Sequence, residues 1–304
     1  MSACLIKPMQ NEIKGRLLEN EPLAKYTSWR VGGPAEQMFF PADRNDLVRF
    51  LQLLPEGKPI FWMGLGSNLL IRDVGIAGVV INTRGRIKAM HRCEDDTVYV
   101  EAGVPCAHVA RFCGEQGLTG AEFLAGIPGT MGGALKMNAG AFDGETWNIV
   151  NLVEMVNSQG EVIKRHAEDF EIKYRSVTGT ENEWFLAVNL QLELGETALS
   201  QEKIKALLAK RNLSQPTNQP SCGSVFKNPK NDFAARLIEA SHLKGHHIGG
   251  AQVSEKHANF IVNTGSATAQ DIEALITYVK NEVEKQQGVD LETEVCIVGQ
   301  EAQL

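Results

Sequence analysis

Apolar positions in this chain come in short bursts, and the spacing within each burst predicts the element it forms. Leu47, Val48, Phe50, Leu51 and Leu54 line one face of a helix, with Asp43 or Asn45 as its cap and Pro55-Glu56-Gly57 as its stop. The unbroken run PIFWMG (59–64) predicts a buried strand, and LLI after the intervening GSN predicts another. VYVEAG (98–103) predicts a strand ending in a turn, with Pro105 as the first residue of a helix reaching about Gln116. IVNLVEMV, EVIKRH and FLAVNLQLEL extend the β-rich middle of the chain. A helix follows Ser200, and its Lys203, Lys205, Lys210 and Arg211 read as a solvated face. SQPTNQPS (214–221) reads as a linker or an active-site loop. Helices at about 232–242 and 269–287 then alternate with the strand-like NFIVNTG (259–265) and TEVCIVG (293–299). Strands mixed with a few helices, without a regular βαβ repeat, indicate an α+β protein. The pattern divides it into segments 1–84, 85–198 and 199–304.

Composition narrows the function classes. The chain has 304 residues, 43% of them hydrophobic and 22% charged, which describes a folded rather than a disordered protein. A net charge of −7 gives no general attraction to nucleic acid or anionic lipid. The first residues carry no apolar stretch of signal-peptide length, and no run approaches the roughly 18 residues of a membrane span, so a cytosolic protein is expected. Cys4, Cys93, Cys106, Cys113, Cys222 and Cys296 contain no CxxC pair and are expected to be reduced, several of them buried. The seven histidines include no HExxH, and no metal site is expected.

Glycine changes the picture. Of 29 glycines, 15 fall between Gly64 and Gly144, interleaved with apolar runs instead of the Ser and Pro of a linker. GLGSNL (64–69) follows a predicted strand as a dinucleotide fingerprint would. However, Leu69 stands at the third glycine position, and Arg84 and Arg86 stand where the acidic residue is needed. A Rossmann domain is therefore disfavoured, and the GxxxxGK[ST] loop is absent. Consecutive backbone N–H groups in such a turn can still cradle a diphosphate, with Ser67 and Asn68 as additional donors. A second motif, FLAGIPGTMGGAL, lets main chain touch a ligand while Pro128 stiffens the turn. One such turn is most simply a tight loop; two in one region point to a large phosphate-bearing cofactor.

YTSWRVGGPA (26–35), GLGSNLL (64–70), AGIPGTMGGALKMNAGAF (125–142), YRSV (174–177), CGSVFKNP (222–229), GAQVSEKHANFIVNTG (250–265) and LETEVCIVG (291–299) together resemble the MurB family of UDP-N-acetylenolpyruvoylglucosamine reductases. The resemblance runs from about Asn11 to Gly299 in order, and the last four motifs do not belong to flavoproteins in general. It implies a two-part FAD-binding region of the PCMH or vanillyl-alcohol-oxidase type, in 1–84 and 85–198, plus a C-terminal α+β substrate-binding domain. The matching FAD positions are Gly64, Gly66, Ser67, Asn68, Gly103, Gly126, Pro128, Gly129, Gly132, Gly133 and Asn138, with Arg30, Gly32, Gly33 and Ala102 nearby. The stretch after YRSV looks like the family's shorter form, without the extra tyrosine loop over the substrate.

The implied reaction, with NADPH as reductant, converts an enolpyruvyl ether into a lactyl ether. Hydride passes from flavin N5 to C3, and a proton from Ser224 to C2. Before that proton arrives, hydride addition pushes negative charge into the conjugated carboxylate, where a guanidinium such as Arg175 suits it as a permanently charged two-pronged donor. Ser224, between a glycine and KNP, is the implied acid; no GxSxG elbow surrounds it, so it is not a hydrolase nucleophile. Glu294, on the expected last strand, would repel an enolate as a carboxylate and is expected to be protonated or to act through water. Glu292 would share its face on such a strand. Tyr174, Lys227, Asn228 and His257 are the implied substrate contacts, with Asn259 beside them. Val225 and Cys296 depart from the commonest family pattern, and the second removes a charge on the substrate side. An oxidase or dehydrogenase on the same flavin fold would keep the glycine motifs but need neither Ser224 nor Glu294. A non-catalytic UDP-sugar binder would need none of the three catalytic candidates.

Overall fold

The computed structural model describes residues 11–301; Cys4 and the opening segment lie outside the described residues. The chain forms two compact units, each assembled from separated stretches. The larger comprises the chain up to Glu19, Gln37–Leu65 and Gly78–Ala209; the smaller comprises Asn20–Glu36, Gly66–Ala77 and the chain from Lys210 onward.

In the larger unit a four-stranded sheet runs in the order Arg16–Pro22, Pro34–Phe40, Ile76–Asn82, Ile60–Met63, the last two being parallel. The predicted amphipathic helix is Arg44–Leu53, and Asp43 is its cap, accepting from the Asp46 N–H at 2.8 Å. Its Phe50 stacks on Phe39 with ring centroids 3.8 Å apart, fixing the buried face. A second, five-stranded antiparallel sheet follows the order Val162–Arg165, Val150–Asn157, Glu183–Gln191, Thr97–Glu101, Met90–Arg92. The helix beside it is Cys106–Glu115, and Pro105 is its N-cap with ψ 135°. Pro105 is thus one residue outside the position expected, because its own backbone is still extended.

A buried carboxylate anchors this region. Glu122 accepts from Thr119 Oγ1 (2.8 Å), the Gly120 N–H (3.0 Å), Ser200 Oγ (2.8 Å) and Lys203 Nζ (3.1 Å). Lys203 is therefore an ion-pair partner, not merely a solvated cation. Burial alone would raise the Glu122 pKa, but these hydrogen bonds outweigh it and hold it at about 2, down from 4.5. A depressed carboxylate stabilises the fold fully above its unfolded value, and that stabilisation is lost as pH falls from about 4.5 toward 2. Glu122→Gln is expected to cost about 2 kcal/mol at neutral pH, since an amide cannot accept from all four donors. Urea unfolding at a series of pH values checks this: the deficit should shrink as the wild-type carboxylate protonates. A deficit independent of pH would show that packing, not charge, matters there.

The smaller unit carries the three-stranded antiparallel sheet His247–Ile248, Ala251–Val253, Ile261–Asn263 and a parallel pairing of Leu69–Ile71 with Cys296–Val298. The helix Ala269–Gln287 packs Ile272, Leu275, Ile276, Val279 and Val283 into this unit's core. Trp29 is fully buried there, donating Nε1–H to the Ile261 carbonyl at 2.7 Å, while Asn263 Nδ2 returns a bond to the Trp29 carbonyl at 2.8 Å. Two expectations are corrected. The helix read as following Ser200 begins at Thr197, and the last strand is only Cys296–Val298. Glu292 and Glu294 therefore lie before the last strand and flank Thr293, which makes an antiparallel bridge to Phe226; the Glu294 N–H bonds the Val225 carbonyl at 2.8 Å. Among the described residues no helix is long and apolar enough to cross a membrane.

Candidate active site

In the larger unit the two glycine motifs meet. A Cβ on Gly64 would lie 2.5 Å from Thr130 Oγ1, so only glycine lets this turn approach the IPGTMGG loop. Gly132 packs against Ala102, where an added Cβ would fall 2.9 Å from the alanine's own, and its N–H bonds the Ala102 carbonyl at 2.9 Å. Gly126 is closed off by the Phe142 ring, and Gly129 accepts from Cys106 N–H at 2.9 Å. Gly133 is exposed, as is Pro128, and a Cβ at Gly133 would meet only Thr130 Oγ1 at 3.8 Å. Gly103 is wedged between the Thr83 and Ile87 carbonyls, so its lack of a side chain serves chain packing.

Asn138, with φ +44°, uses its whole side chain inside the protein. Its Nδ2 donates to Glu145 (2.9 Å) and the Lys173 carbonyl (3.2 Å), and its Oδ1 accepts from Trp147 N–H at 3.1 Å. Arg175, with φ +55°, donates to the carbonyls of Asn138 (3.4 Å) and Gly140 (2.8 Å) and lies 4.9 Å from the Tyr174 ring centroid. Tyr174 itself is exposed.

The backbone N–H groups of Gly64, Leu65, Gly66 and Ser67 have no acceptor among the described residues. Four successive donors without partners, starting at a glycine whose place no side chain could take, fit the diphosphate of a dinucleotide such as FAD. Thr130, which the sequence analysis passed over, joins the two motifs; as the one hydroxyl within IPGTMGG it carried the signal.

In the smaller unit, Gly66 and Asn68 continue the first turn. Asn68 Nδ2 donates to the Glu294 carbonyl at 3.0 Å, and the Asn68 carbonyl accepts from Cys296 N–H at 3.1 Å. Ser224 follows Gly223, whose φ of +77° demands glycine. Beyond it Val225 donates to the Asn259 carbonyl (2.9 Å) and accepts from Glu294 N–H (2.8 Å). Asn259 also bonds both backbone groups of Phe226, its Oδ1 accepting at 3.0 Å and its Nδ2 donating at 2.8 Å. Asn259 is thus a buried clamp, not a lining residue, on the serine-bearing turn, which the Glu294 N–H also grips through Val225. Ser224 Oγ makes no hydrogen bond among the described residues and is partly exposed. The neighbouring Cys222 thiol is pushed up to about 12 by burial and stays protonated.

Lys227 pairs with Glu292 at 2.5 Å, and Asn228 Oδ1 accepts the Ala234 N–H at 3.1 Å, opening the helix Ala234–Ala240. Burial lowers the pKa of His257, with the Lys244 charge adding to it, so the ring is neutral at neutral pH. Its Nδ1 is buried without a partner among the described residues.

Comparison with known proteins agrees with this arrangement. Residues 35–165 match the family model for an FAD binding domain, and 215–298 match that for the C-terminal domain of UDP-N-acetylenolpyruvoylglucosamine reductase. The chain is 60% identical over 287 residues to the UDP-N-acetylenolpyruvoylglucosamine reductase of Methylococcus capsulatus, covering 94% of each chain. It is 57% identical to that of Alkalilimnicola ehrlichii, over 94% of this chain and 96% of the relative. The crystal structure of UDP-N-acetylenolpyruvylglucosamine reductase (MurB) from Thermus caldophilus superposes with a TM-score of 0.80 at 30% identity, over 94% of this chain and 99% of that one. With the glycine turns, the clamped serine and near-full-length identity in agreement, the chain belongs to the MurB family of UDP-N-acetylenolpyruvoylglucosamine reductases.

Proposed function

We propose that the protein reduces the enolpyruvyl ether of UDP-N-acetylglucosamine-enolpyruvate to the lactyl ether of UDP-N-acetylmuramate, with NADPH as reductant and FAD as cofactor, in peptidoglycan precursor synthesis. The observation that carries this reading is identity of 60% across nearly the whole chain to a protein of that name. Bound FAD supplies the hydride. The Gly64, Gly66 and Ser67 backbone donors hold its phosphates, with Thr130 packed behind Gly64.

The chain's own residues do the remaining work. Arg175, fixed by two carbonyls, faces the substrate carboxylate and stabilises the charge that hydride addition places there. Ser224 Oγ gives its proton to C2, with no competing hydrogen bond to hold the hydroxyl back. Glu294 is anchored through its backbone to Asn68 and Val225 and acts on the same proton transfer as an acid or through water. Tyr174, Lys227, Asn228 and His257 contact the UDP-sugar, the last as a neutral ring. The reading extends to a three-part division at about 84 and 198, to a monomer in the cytoplasm, and to the absence of a nucleic-acid partner, in keeping with a net charge of −7.

An anaerobic absorbance titration tests it. The visible flavin bands should bleach with NADPH and return on adding the enolpyruvyl UDP-sugar. Bands that bleach but do not return with that sugar would favour an oxidase on the same fold. A colourless protein that takes up no FAD would overturn the reading.

A further inference from the structure

Within the smaller unit, the turn that offers N–H groups to the cofactor is held by the segments that carry Ser224 and Glu294. The Gly66 carbonyl accepts the Ser28 N–H at 3.0 Å and the Cys222 thiol, whose Sγ lies 3.8 Å from it and 3.4 Å from the Leu69 carbonyl. Cys222 is buried, and burial pushes its thiol up to about 12 against the opposing pull of the Leu69, Trp29 and Ser28 backbones, so it keeps the proton it donates. In a trans peptide the C=O and the following N–H point to opposite sides. Holding the Gly66 carbonyl toward Ser28 and Cys222 therefore aims the Ser67 N–H the other way, and that N–H is one of the four without an acceptor among the described residues. Cys222 stands two residues before Ser224, so one buried side chain grips the cofactor turn and belongs to the serine's. Asn68 makes a second link. From the sequence it was expected to donate to a diphosphate, but its Nδ2 donates to the Glu294 carbonyl at 3.0 Å, while its own carbonyl accepts the Cys296 N–H at 3.1 Å. These two bonds bracket the buried Val295, so the chain carrying Glu294 cannot slide along the turn.

We propose that Cys222 and Asn68 are positioning residues for the proton-transfer step, registering Ser224 and Glu294 on the turn that seats the cofactor's diphosphate. This rests on the proposed function for the roles of that turn, Ser224 and Glu294. It goes beyond that reading by naming the two side chains that tie the proton-handling groups to the cofactor's seat. Such registration matters because hydride and proton must reach adjacent carbons of one substrate, and an error of an ångström in placement costs about a hundredfold in rate.

Stopped-flow absorbance of the holoenzyme variants Cys222→Ala, Cys222→Ser and Asn68→Ala tests this, with FAD release on dilution, followed by flavin fluorescence, as a readout that needs no turnover. Cys222→Ala and Asn68→Ala are expected to slow reoxidation by the enolpyruvyl UDP-sugar about tenfold or more and to leave reduction by NADPH within about twofold of wild type. The solvent deuterium isotope effect on reoxidation should rise in both, because a misplaced donor makes proton transfer limiting. FAD should leave Cys222→Ala about fivefold faster, since the Ser67 N–H is no longer held on aim. Cys222→Ser keeps a donor in the same place and should bring FAD release and reoxidation back to within about threefold of wild type. If Cys222 and Asn68 only fill the core, the order reverses: serine, which buries a hydroxyl, melts below alanine, and FAD release and the ratio of the two half-reaction rates stay at wild-type values in all three variants. Those results would overturn the proposal, as would equal slowing of both half-reactions. Failure of the proposed function would instead show in the wild-type enzyme, whose colour would not return with that sugar.

Discussion

Ser224→Ala is expected to leave a yellow enzyme that NADPH bleaches at the wild-type rate, while return of colour with the enolpyruvyl UDP-sugar slows by about a thousandfold. The fold should survive, because the contacts holding this turn come from elsewhere. Val225 is fixed through its backbone to Asn259 and Glu294, Phe226 through the Asn259 amide, and Lys227 through the Glu292 carbonyl. Ser224 Oγ takes part in none of these bonds, and Gly223 before it supplies the φ of +77° that presents it. Removing the hydroxyl therefore deletes a proton donor and little else. Stopped-flow absorbance in each half-reaction decides between roles. If both slowed together, Ser224 would be positioning the flavin or the turn; if neither slowed, another group would be the acid.

Much of the scaffold behind this serine was legible in local sequence. The helix Ala269–Gln287 is bounded by signals within a few residues: Thr268 and Asp271 cap each other's N–H groups, and Gly288 closes the end with φ +68°. The strands Val150–Asn157 and Glu183–Gln191 announced themselves by apolar runs, the first carrying three valines and the second the aromatic pair Trp184-Phe185. What could not be read locally depends on partners far along the chain. Leu69–Ile71 pairs with Cys296–Val298 across more than 200 positions, and Thr293 to Val295 turn aside to the 225–227 segment instead of extending the last strand. That diversion is why Glu292 and Glu294, seemingly equivalent by alternation, differ: Glu292 pairs with Lys227, and Glu294 is tied by its main chain to Asn68 and Val225. Asn259 and Thr130 were misread or missed because their roles are non-local, one closing on residue 226 and the other on Gly64.

Arg175→Lys should lower the rate of flavin reoxidation by the enolpyruvyl substrate by about 10²–10³-fold while leaving reduction by NADPH within a few-fold of wild type. The substitution isolates the head group. Lysine occupies φ +55° at the same backbone cost as arginine, and it keeps the positive charge. What it lacks is the planar fork. Arg175 donates from two different nitrogens to the Gly140 and Asn138 carbonyls, so its plane is held fixed from the 138–140 turn, which Asn138 in turn ties to Lys173. A single ammonium on a flexible stem cannot satisfy both carbonyls and still keep one orientation toward the substrate. If the guanidinium stabilises charge that appears only after hydride addition, substrate affinity changes little and the loss falls on the rate constant. An increase in KM with kcat intact would instead make Arg175 a ground-state anchor for the substrate carboxylate. A variant with both constants unchanged would remove it from the mechanism altogether, leaving the developing charge to Glu294 as an acid and to backbone donors.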